Sequence, residues 1–219
     1  MKYKCLILDH DDTVVRSTEA IHYPSFIAYL EEYMPHRVKD YTIESFIEKN
    51  FTPGIFSLFA DELGMGEDEM HREQLFWEDF VHTRTPVAFP GIAEIVARFR
   101  AEGGIIAVSS HSMQRYIERD WAANGIPLPD EIYGWDLPRE LRKPRTHTVT
   151  DLIAKYGFDK SEILMVDDLK PGYDMARAAG IAFAAAGWAY SVPLIEEFMR
   201  EHSDHYLTST EELSELLFN

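Results

Sequence analysis

The stretch Leu6-Ile7-Leu8-Asp9-His10-Asp11-Asp12-Thr13 decides the fold of this chain. A short apolar run that stops on a carboxylate is typical of a buried parallel strand whose C-terminal end opens into a loop. Open α/β sheets bind their ligands at that end. The carboxylates of Asp9, Asp11 and Asp12 repel one another when crowded, and a divalent cation relieves the repulsion. The stretch therefore predicts one half of a metal site at the end of the first strand.

The composition excludes several classes of partner. The chain has 219 residues, which allow one large domain or a domain with an insertion. Lys and Arg total 21 against 38 Asp and Glu, so the formal net charge is −17. A surface this acidic disfavours nucleic acid and anionic membranes, and an anionic substrate would need local basic residues or a metal. We find neither a signal peptide nor an apolar stretch of transmembrane length, and we expect a soluble cytoplasmic protein.

Short apolar runs recur along the rest of the chain, with helical segments between them. The candidate strands are residues 104–108, 131–134, 163–166 and 181–184. Between them, apolar residues recur at the spacing of a helix, as at Ile92, Ile95, Val96 and Phe99. Because strands that alternate with helices form βαβ units, we predict an α/β fold with a Rossmann-like parallel sheet.

One interval is too long for a single crossover between parallel strands. Roughly ninety residues separate the first two candidate strands, whereas a crossover needs little more than a dozen. Most of this interval has helical spacing, and residues 85–91 carry the Pro and Gly punctuation of a hinge. We therefore predict an inserted all-helical cap domain at residues 16–86, and an α/β core formed by residues 1–15 and 87–219.

Further polar residues come at or soon after the later strands. They are Ser109 and Ser110 after the second strand, Lys143 in the basic run 142–145, and Asp167 and Asp168 after the fourth strand. Each alone has an ordinary explanation as a cap, a solvated loop or an acidic turn. The ends of parallel strands converge on one crevice, however, so we expect these groups to meet there. Such a set can transfer a phosphoryl group: one carboxylate attacks phosphorus, a second carboxylic acid protonates the leaving oxygen, and lysine and serine neutralise the phosphoryl group.

At these residues the chain resembles the haloacid dehalogenase-like superfamily over essentially its whole length. The run from Asp9 to Thr13 is similar to the first motif of that superfamily, Asp-x-Asp-x-Thr. Ser109 is similar to the second motif, Lys143-Pro144 to the third, and the run 167–172 to the fourth. Gly at position 172 resembles the phosphoglycolate phosphatase and β-phosphoglucomutase-like branch, which carries a helical cap inserted after the first strand.

The resemblance implies a role for each matching residue. It implies that Asp9 is the nucleophile and a magnesium ligand, and that Asp11 is the general acid/base and offers its backbone carbonyl to the metal. By the same resemblance Asp168 binds the metal directly, Asp167 acts through water, Ser109, Ser110 and Lys143 hold the phosphoryl group, and Thr13 orders the loop. The implied protein is a magnesium-dependent phosphatase, a phosphoric monoester hydrolase that cleaves a small phosphorylated metabolite through an aspartyl-phosphate.

The chain departs from the family pattern at position 12, and two other functions compete with this interpretation. Asp12 occupies a position that is usually Gly, although Asp tolerates left-handed backbone better than most residues. A phosphosugar mutase is the alternative within the superfamily, but Ile21 stands where such mutases have a histidine and residues 51–54 supply no basic group. A phospho-aspartate signalling or binding module is the alternative from another class. The inserted domain and a nucleophile on the first strand argue against it.

Overall fold

The computed structural model, which describes residues 2–219, contains a six-stranded sheet. Its strands are β1 (Cys5–Leu8), β2 (Ile105–Ser109), β3 (Glu131–Tyr133), β4 (Ile163–Asp167), β5 (Ala182–Ala186) and β6 (His205–Leu207). Their order across the sheet is β3-β2-β1-β4-β5-β6, and every neighbouring pair is parallel. This order switches direction between β1 and β4, and a crevice opens at the C-terminal ends of the strands at such a point.

The interval between β1 and β2 forms a helical insertion. Its α-helices are α1 (Tyr23–Tyr33), α2 (Ile43–Phe51), α3 (Ile55–Ser57) and α4 (Glu67–His82), with π-helical turns at Thr18–His22 and Leu58–Glu62 and a 3₁₀ segment at Pro35–Asp40. The insertion has its own aromatic core, in which the Phe26 ring lies 4.8 Å from Phe46 and meets Tyr41 edge-on at 5.1 Å. The predicted α/β fold with a helical insertion after the first strand is confirmed.

The chain divides into two compact units. One unit is Ser17–Pro86, and the other is Val87–Asn219 with the chain up to Arg16. The helices of the sheet unit are α5 (Ile92–Ala101), α6 (Gln114–Ala123), α7 (His147–Tyr156), α8 (Lys170–Ala179), α9 (Pro193–His202) and α10 (Thr210–Phe218), with 3₁₀ turns at Arg139–Leu141 and Lys160–Glu162. The apolar stripe of α5 is buried, as its helical spacing predicts. Within residues 2–219, no helix combines the length and apolar character that crossing a bilayer requires.

The structure contains one strand that the apolar runs do not reveal. β6 is three residues long and pairs with β5 at the edge of the sheet. Leu207 is its only buried residue, while His205 and Tyr206 are partly exposed. No continuous apolar run marks a strand of this kind, because an edge strand needs fewer apolar side chains than a central parallel strand.

Glu73 of α4 is a buried acid in the insertion. Only 9% of its surface is exposed. Burial raises the pKa of its carboxyl group from the ordinary 4.5 to about 7, and the charge of His22 opposes this effect in part. The folded chain therefore keeps a proton on Glu73 at pH values where the unfolded chain has released it.

We expect Glu73→Gln to remove a pH dependence from the stability of the chain. Because the folded state binds the proton of Glu73 more tightly, this residue lowers the free energy of unfolding as pH rises from 4.5 to about 7. The free energy of unfolding of Glu73→Gln, relative to that of the wild type, should rise by about 2–3 kcal/mol between pH 5 and pH 8. Urea denaturation at the two pH values measures it. Asp79→Asn, an exposed substitution on the same helix, is the control and should show no such trend.

Candidate active site

Three buried carboxylates meet where β1 and β4 end. Asp9 follows β1 directly, Asp167 is the last residue of β4, and Asp168 comes next. The register that pairs Leu8 with Val166 brings these two strand ends side by side. As a result, Asp9, Asp167 and Asp168 can each offer an oxygen such that all three oxygens lie within 4.8 Å of one another. Carboxylate oxygens in such a group are ligands that hard divalent cations prefer, so the triad could bind a metal.

Lys143 provides positive charge to this cluster from the loop between β3 and α7. Its Nζ donates to Asp9 Oδ1 at 2.6 Å and to Asp167 Oδ2 at 2.7 Å. Burial by itself would lower the pKa of Lys143, but the charges of Asp167 and Asp9 outweigh burial and raise it. The lysine is therefore held as a cation between two acids that come from different strands.

Asp168 is held by two hydroxyl groups. Thr13 Oγ1 donates to its Oδ1 at 2.9 Å, and the Tyr190 hydroxyl donates to its Oδ2 at 2.6 Å. Burial, and then the charge of Asp167, raises the pKa of Asp168 well above its ordinary value. Burial likewise raises the pKa of Asp167 to about 7. A nearby cation would favour the ionised form of both groups, which agrees with a metal site here.

Asp11 lies apart from the triad and contacts the segment after β2. Ser112 Oγ donates to Asp11 Oδ2 at 2.6 Å, and Ser110 Oγ lies 3.4 Å from the same oxygen. The side chain of Asp11 is partly exposed. The predicted proximity of Asp11 and Ser110 is thus present. Ser112 was not expected here, because a serine before a helix resembles an ordinary cap.

Ser109, which is similar to the second motif, makes its hydrogen bond inside the sheet unit. It is fully buried, and its Oγ lies 3.2 Å from Thr148 Oγ1 and 3.9 Å from Met175 Sδ. Successive side chains of a strand point to opposite faces, so Ser109 and Ser110 cannot both face Asp11. The structure directs Ser110 toward Asp11 and Ser109 toward Thr148, and the phosphate-binding role expected of both serines stays a prediction.

Asp12 adopts the backbone conformation that usually requires glycine. Its φ is 54°, and it is the one residue other than glycine with a positive φ in the described part of the chain. Asp is among the residues that tolerate this region. Its buried carboxylate also contributes to the raised pKa of Asp168. The substitution of Asp for Gly thus adds negative charge beside the triad without disturbing the turn.

Comparison with known families places this site in context. Residues 6–186 match the haloacid dehalogenase-like hydrolase family. The chain belongs to this family. The matched span runs from the second residue of β1 to the end of β5, and it includes all of the acidic triad and Lys143.

Curated relatives of this haloacid dehalogenase-like hydrolase are phosphoglycolate phosphatases. The enzyme of Mesorhizobium japonicum is 28% identical over 130 residues, which are 59% of this chain and 57% of the relative. The enzyme of Haemophilus influenzae is 29% identical over 112 residues, which are 49% of each chain. The chain thus matches about half the length of these curated relatives, and its relationship to them is distant.

Solved structures share the whole fold of this haloacid dehalogenase-like chain. A predicted phosphoglycolate phosphatase of Haemophilus somnus has a TM-score of 0.76 at 19% identity, covering 99% of this chain and 98% of the other. A subfamily IA, variant 1 hydrolase of Geobacter sulfurreducens has a TM-score of 0.66 at 17% identity, covering 99% and 97%. The predicted family and branch, with a helical cap after the first strand, are confirmed.

Proposed function

We propose that this hydrolase is a magnesium-dependent phosphatase that acts on a small phosphorylated metabolite through an aspartyl-phosphate. The observation that carries the proposal is the buried cluster in which Lys143 bridges Asp9 and Asp167 beside Asp168. A cation held against a carboxylate at a strand end suits a site where that carboxylate meets an anionic phosphoryl group. The distant relationship to phosphoglycolate phosphatases supports the same class of reaction.

In the proposed reaction, Asp9 and Asp11 divide the chemistry between them. The Asp9 carboxylate attacks phosphorus, the bond from phosphorus to the leaving oxygen breaks, and that oxygen takes a proton from Asp11. Water then attacks the aspartyl-phosphate and gives a proton to Asp11, and the bond from phosphorus to Asp9 breaks to release phosphate. The Ser112 hydroxyl, 2.6 Å from Asp11 Oδ2, holds the carboxyl group in one orientation. Ser110 and Lys143 bind the phosphoryl oxygens, and Thr13 orders Asp168 and the loop.

The acidic triad would hold the magnesium ion. Asp9 and Asp168 are the proposed direct ligands, Asp167 acts through water, and the Asp11 backbone carbonyl completes the protein ligands. The oxygens of the triad lie within 4.8 Å of one another, and the raised pKa values of Asp167 and Asp168 fit groups that a cation would keep ionised. When bound, magnesium would neutralise charge on the phosphoryl oxygens during transfer.

A screen of phosphorylated metabolites tests the proposal directly. Phosphoglycolate is the first substrate to try, because the curated relatives are named for it. Phosphate release is measured with magnesium, and again after exhaustive chelation. We expect release from at least one small phosphate monoester that stops on chelation and resumes when magnesium returns. A folded enzyme that cleaves no monoester, or whose phospho-enzyme persists without hydrolysis, would contradict a phosphatase.

Removal of Asp168 should weaken the use of magnesium. We expect Asp168→Ala to raise the magnesium concentration for half-maximal activity about 10-fold or more, because a direct ligand and its hydrogen bonds are lost. A magnesium titration of the steady-state rate measures this. Asp174→Ala, which removes a partly exposed acid paired with Lys170, is the control and should leave the titration unchanged. An unaltered magnesium requirement in Asp168→Ala would remove this residue from the metal site.

The two serines at the end of β2 should respond differently to substitution. Ser110→Ala should raise KM about 10-fold, because a hydrogen bond to a charged phosphoryl group is lost. Ser109→Ala should leave KM within about 2-fold and lower stability by about 1 kcal/mol, because its hydroxyl bonds to Thr148 inside the core. Steady-state kinetics and urea denaturation of both variants decide the matter. The opposite ranking would support Ser109 as the phosphate-binding serine, as the second motif implies.

A further inference from the structure

His10 is a buried polar residue between the two proposed catalytic acids. It is 1% exposed, and its Nε2 lies 3.3 Å from Oδ2 of Asp120 on α6, which is 3% exposed. The other oxygen of Asp120 accepts from Arg119 at 2.7 Å. A carboxylate bound to a guanidinium can only accept, so His10 Nε2 carries the proton and donates to Asp120. The side chain of His10 thus leaves the acidic cluster and joins the loop to a helix.

The backbone of His10 forms the corner of the catalytic loop. Its carbonyl oxygen accepts from the N–H groups of Val14 at 3.0 Å and Val15 at 3.1 Å. The N–H of Asp12 in turn donates to the Val15 carbonyl at 2.7 Å. Any shift of His10 would therefore move the turn that carries Asp11.

The segment that leads from β2 into α6, and α6 itself, each contact this loop once. Ser112, two residues before the helix begins, donates to Asp11, and Asp120 accepts from His10 nearly two turns further on. Two separated hydrogen bonds restrict both the position and the rotation of a loop, whereas one bond restricts position alone. The contact of His10 with Asp120 is thus the second attachment of the acid-bearing loop to the stretch that runs from Ser112 through α6.

This pair contributes little to stability by itself. The free energy that it costs to remove an imidazole and a carboxylate from water cancels most of the free energy that is gained from their attraction. In addition, Nδ1 of His10 is buried with no hydrogen-bond partner among residues 2–219. An apolar side chain would fill the same space without that unsatisfied atom. The feature that an apolar residue would lack is the directional bond to Asp120.

We propose that His10 is a positioning residue, whose hydrogen bond to Asp120 fixes the loop so that the Asp9 carboxylate and the Asp11 carboxyl are held in the geometry of the reaction. The inference rests on the proposed phosphatase function, because it assumes that these two acids act on one substrate. Displacement of a reacting group by about 1 Å can slow a reaction about 100-fold, so a loose loop would affect kcat before binding.

Two variants of His10 separate positioning from packing. His10→Leu fills the space but cannot donate, whereas His10→Gln retains a donor nitrogen at a similar distance along the side chain. Both are compared using p-nitrophenyl phosphate, which has a good leaving group, and phenyl phosphate, which has a poor one. Asp120→Ala removes the acceptor and provides the same test if His10→Leu does not fold. Asp130→Ala is the matched control, since Asp130 also pairs with an arginine at 2.7 Å but does not contact the loop.

We expect His10→Leu and Asp120→Ala to lower kcat about 10- to 100-fold with little change in KM. The loss should be greater for phenyl phosphate, because the acid Asp11 matters most when the leaving group is poor. His10→Gln should recover kcat to within about 3-fold of the wild type, since it restores the donor. Asp130→Ala should lose stability only, with the two substrates affected equally.

Hydrogen exchange of the amides of Val14 and Val15 provides a readout that needs no turnover. Exchange of these amides should accelerate in His10→Leu and remain slow in His10→Gln. If the wild type cleaves no phosphate ester but exchange follows this pattern, the proposed function is wrong and the attachment of the loop stands. If wild-type activity is present and His10→Leu or Asp120→Ala retains wild-type kcat on both substrates, His10 is not a positioning residue. The proposal would also be overturned if His10→Gln and His10→Leu were equally stable and had equally reduced kcat.

Discussion

Asp9→Asn should abolish phosphate release while the chain stays folded. The amide has nearly the shape of the carboxylate but cannot attack phosphorus, so we expect a loss of roughly 10⁴-fold or more in kcat. The fold should survive because Lys143 keeps its bond to Asp167 at 2.7 Å. The substitution also removes one of the charges that raise the pKa values of Asp167 and Asp168, which reduces repulsion inside the cluster.

Single-turnover and steady-state assays measure this effect, and circular dichroism confirms the fold. Hydroxylamine releases phosphate from an aspartyl-phosphate, so protein-bound phosphate that is released in this way should be detected in the acid-quenched wild type and not in the variant. Asp174→Asn, the same kind of change at a partly exposed position on α8, is the control and should retain full activity. Phosphate release at the wild-type rate by purified Asp9→Asn would sink the assignment of the nucleophile.

Lys143→Met should be strongly destabilising in the absence of magnesium. The lysine is 7% exposed and is bonded to two buried acids, so its removal leaves their charges uncompensated. Breaking a buried ion pair in this way costs about 3–5 kcal/mol of the free energy of unfolding. The deficit should shrink as pH falls toward 5, because protonation neutralises Asp167 and Asp168, whose pKa values are already raised. Activity should be lost as well, since the phosphoryl group loses its cation.

Urea denaturation in the presence of a chelator, at pH 5 and pH 8, tests this expectation. Lys170→Met is the matched control, because Lys170 also bonds to a carboxylate at 2.7 Å but is partly exposed. A partly exposed pair of this kind contributes at most about 1 kcal/mol to the free energy of unfolding. Lys143→Met should therefore lose several times as much stability as Lys170→Met. A Lys143→Met chain as stable as the wild type at pH 8, or an equal loss in Lys170→Met, would contradict the account of Lys143 as the counter-charge of the cluster.

The comparison of these two lysines shows why the sequence is a partial guide to the site. Both lie next to a proline, at Lys143-Pro144 and Lys170-Pro171. The basic run 142–145 and the third motif single out Lys143, but neither predicts that it bonds to two acids at once. Only Lys143 is carried into the cluster. Its partners Asp9 and Asp167 are 134 and 24 residues away in sequence, and a contact over such a separation depends on the packing of the whole sheet unit.

The sequence also does not determine which way the serine side chains at the end of β2 point. Ser109 and Ser110 are chemically identical neighbours, and the phase of the pleat decides which of them faces Asp11. That phase is set by the register of β2 against β1 and β3, which pairs Val108 with Leu8 and Ser109 with Tyr133. The sequence did not reveal Ser112 and Tyr190 for a related reason. Each contributes to the site through a hydrogen bond to an acid on another segment of the chain.

The sequence by itself determined the central strands, the helical insertion and the arrival of acids at two strand ends. These features follow from apolar periodicity and from the spacing of motifs, which are local properties of the chain. The tertiary structure alone decided which serine faces Asp11, that Lys143 bridges two acids, and that His10 reaches Asp120 across 110 residues. Those choices depend on strand register and on long-range burial, where a carboxylate or an imidazole must find its partner because water is excluded.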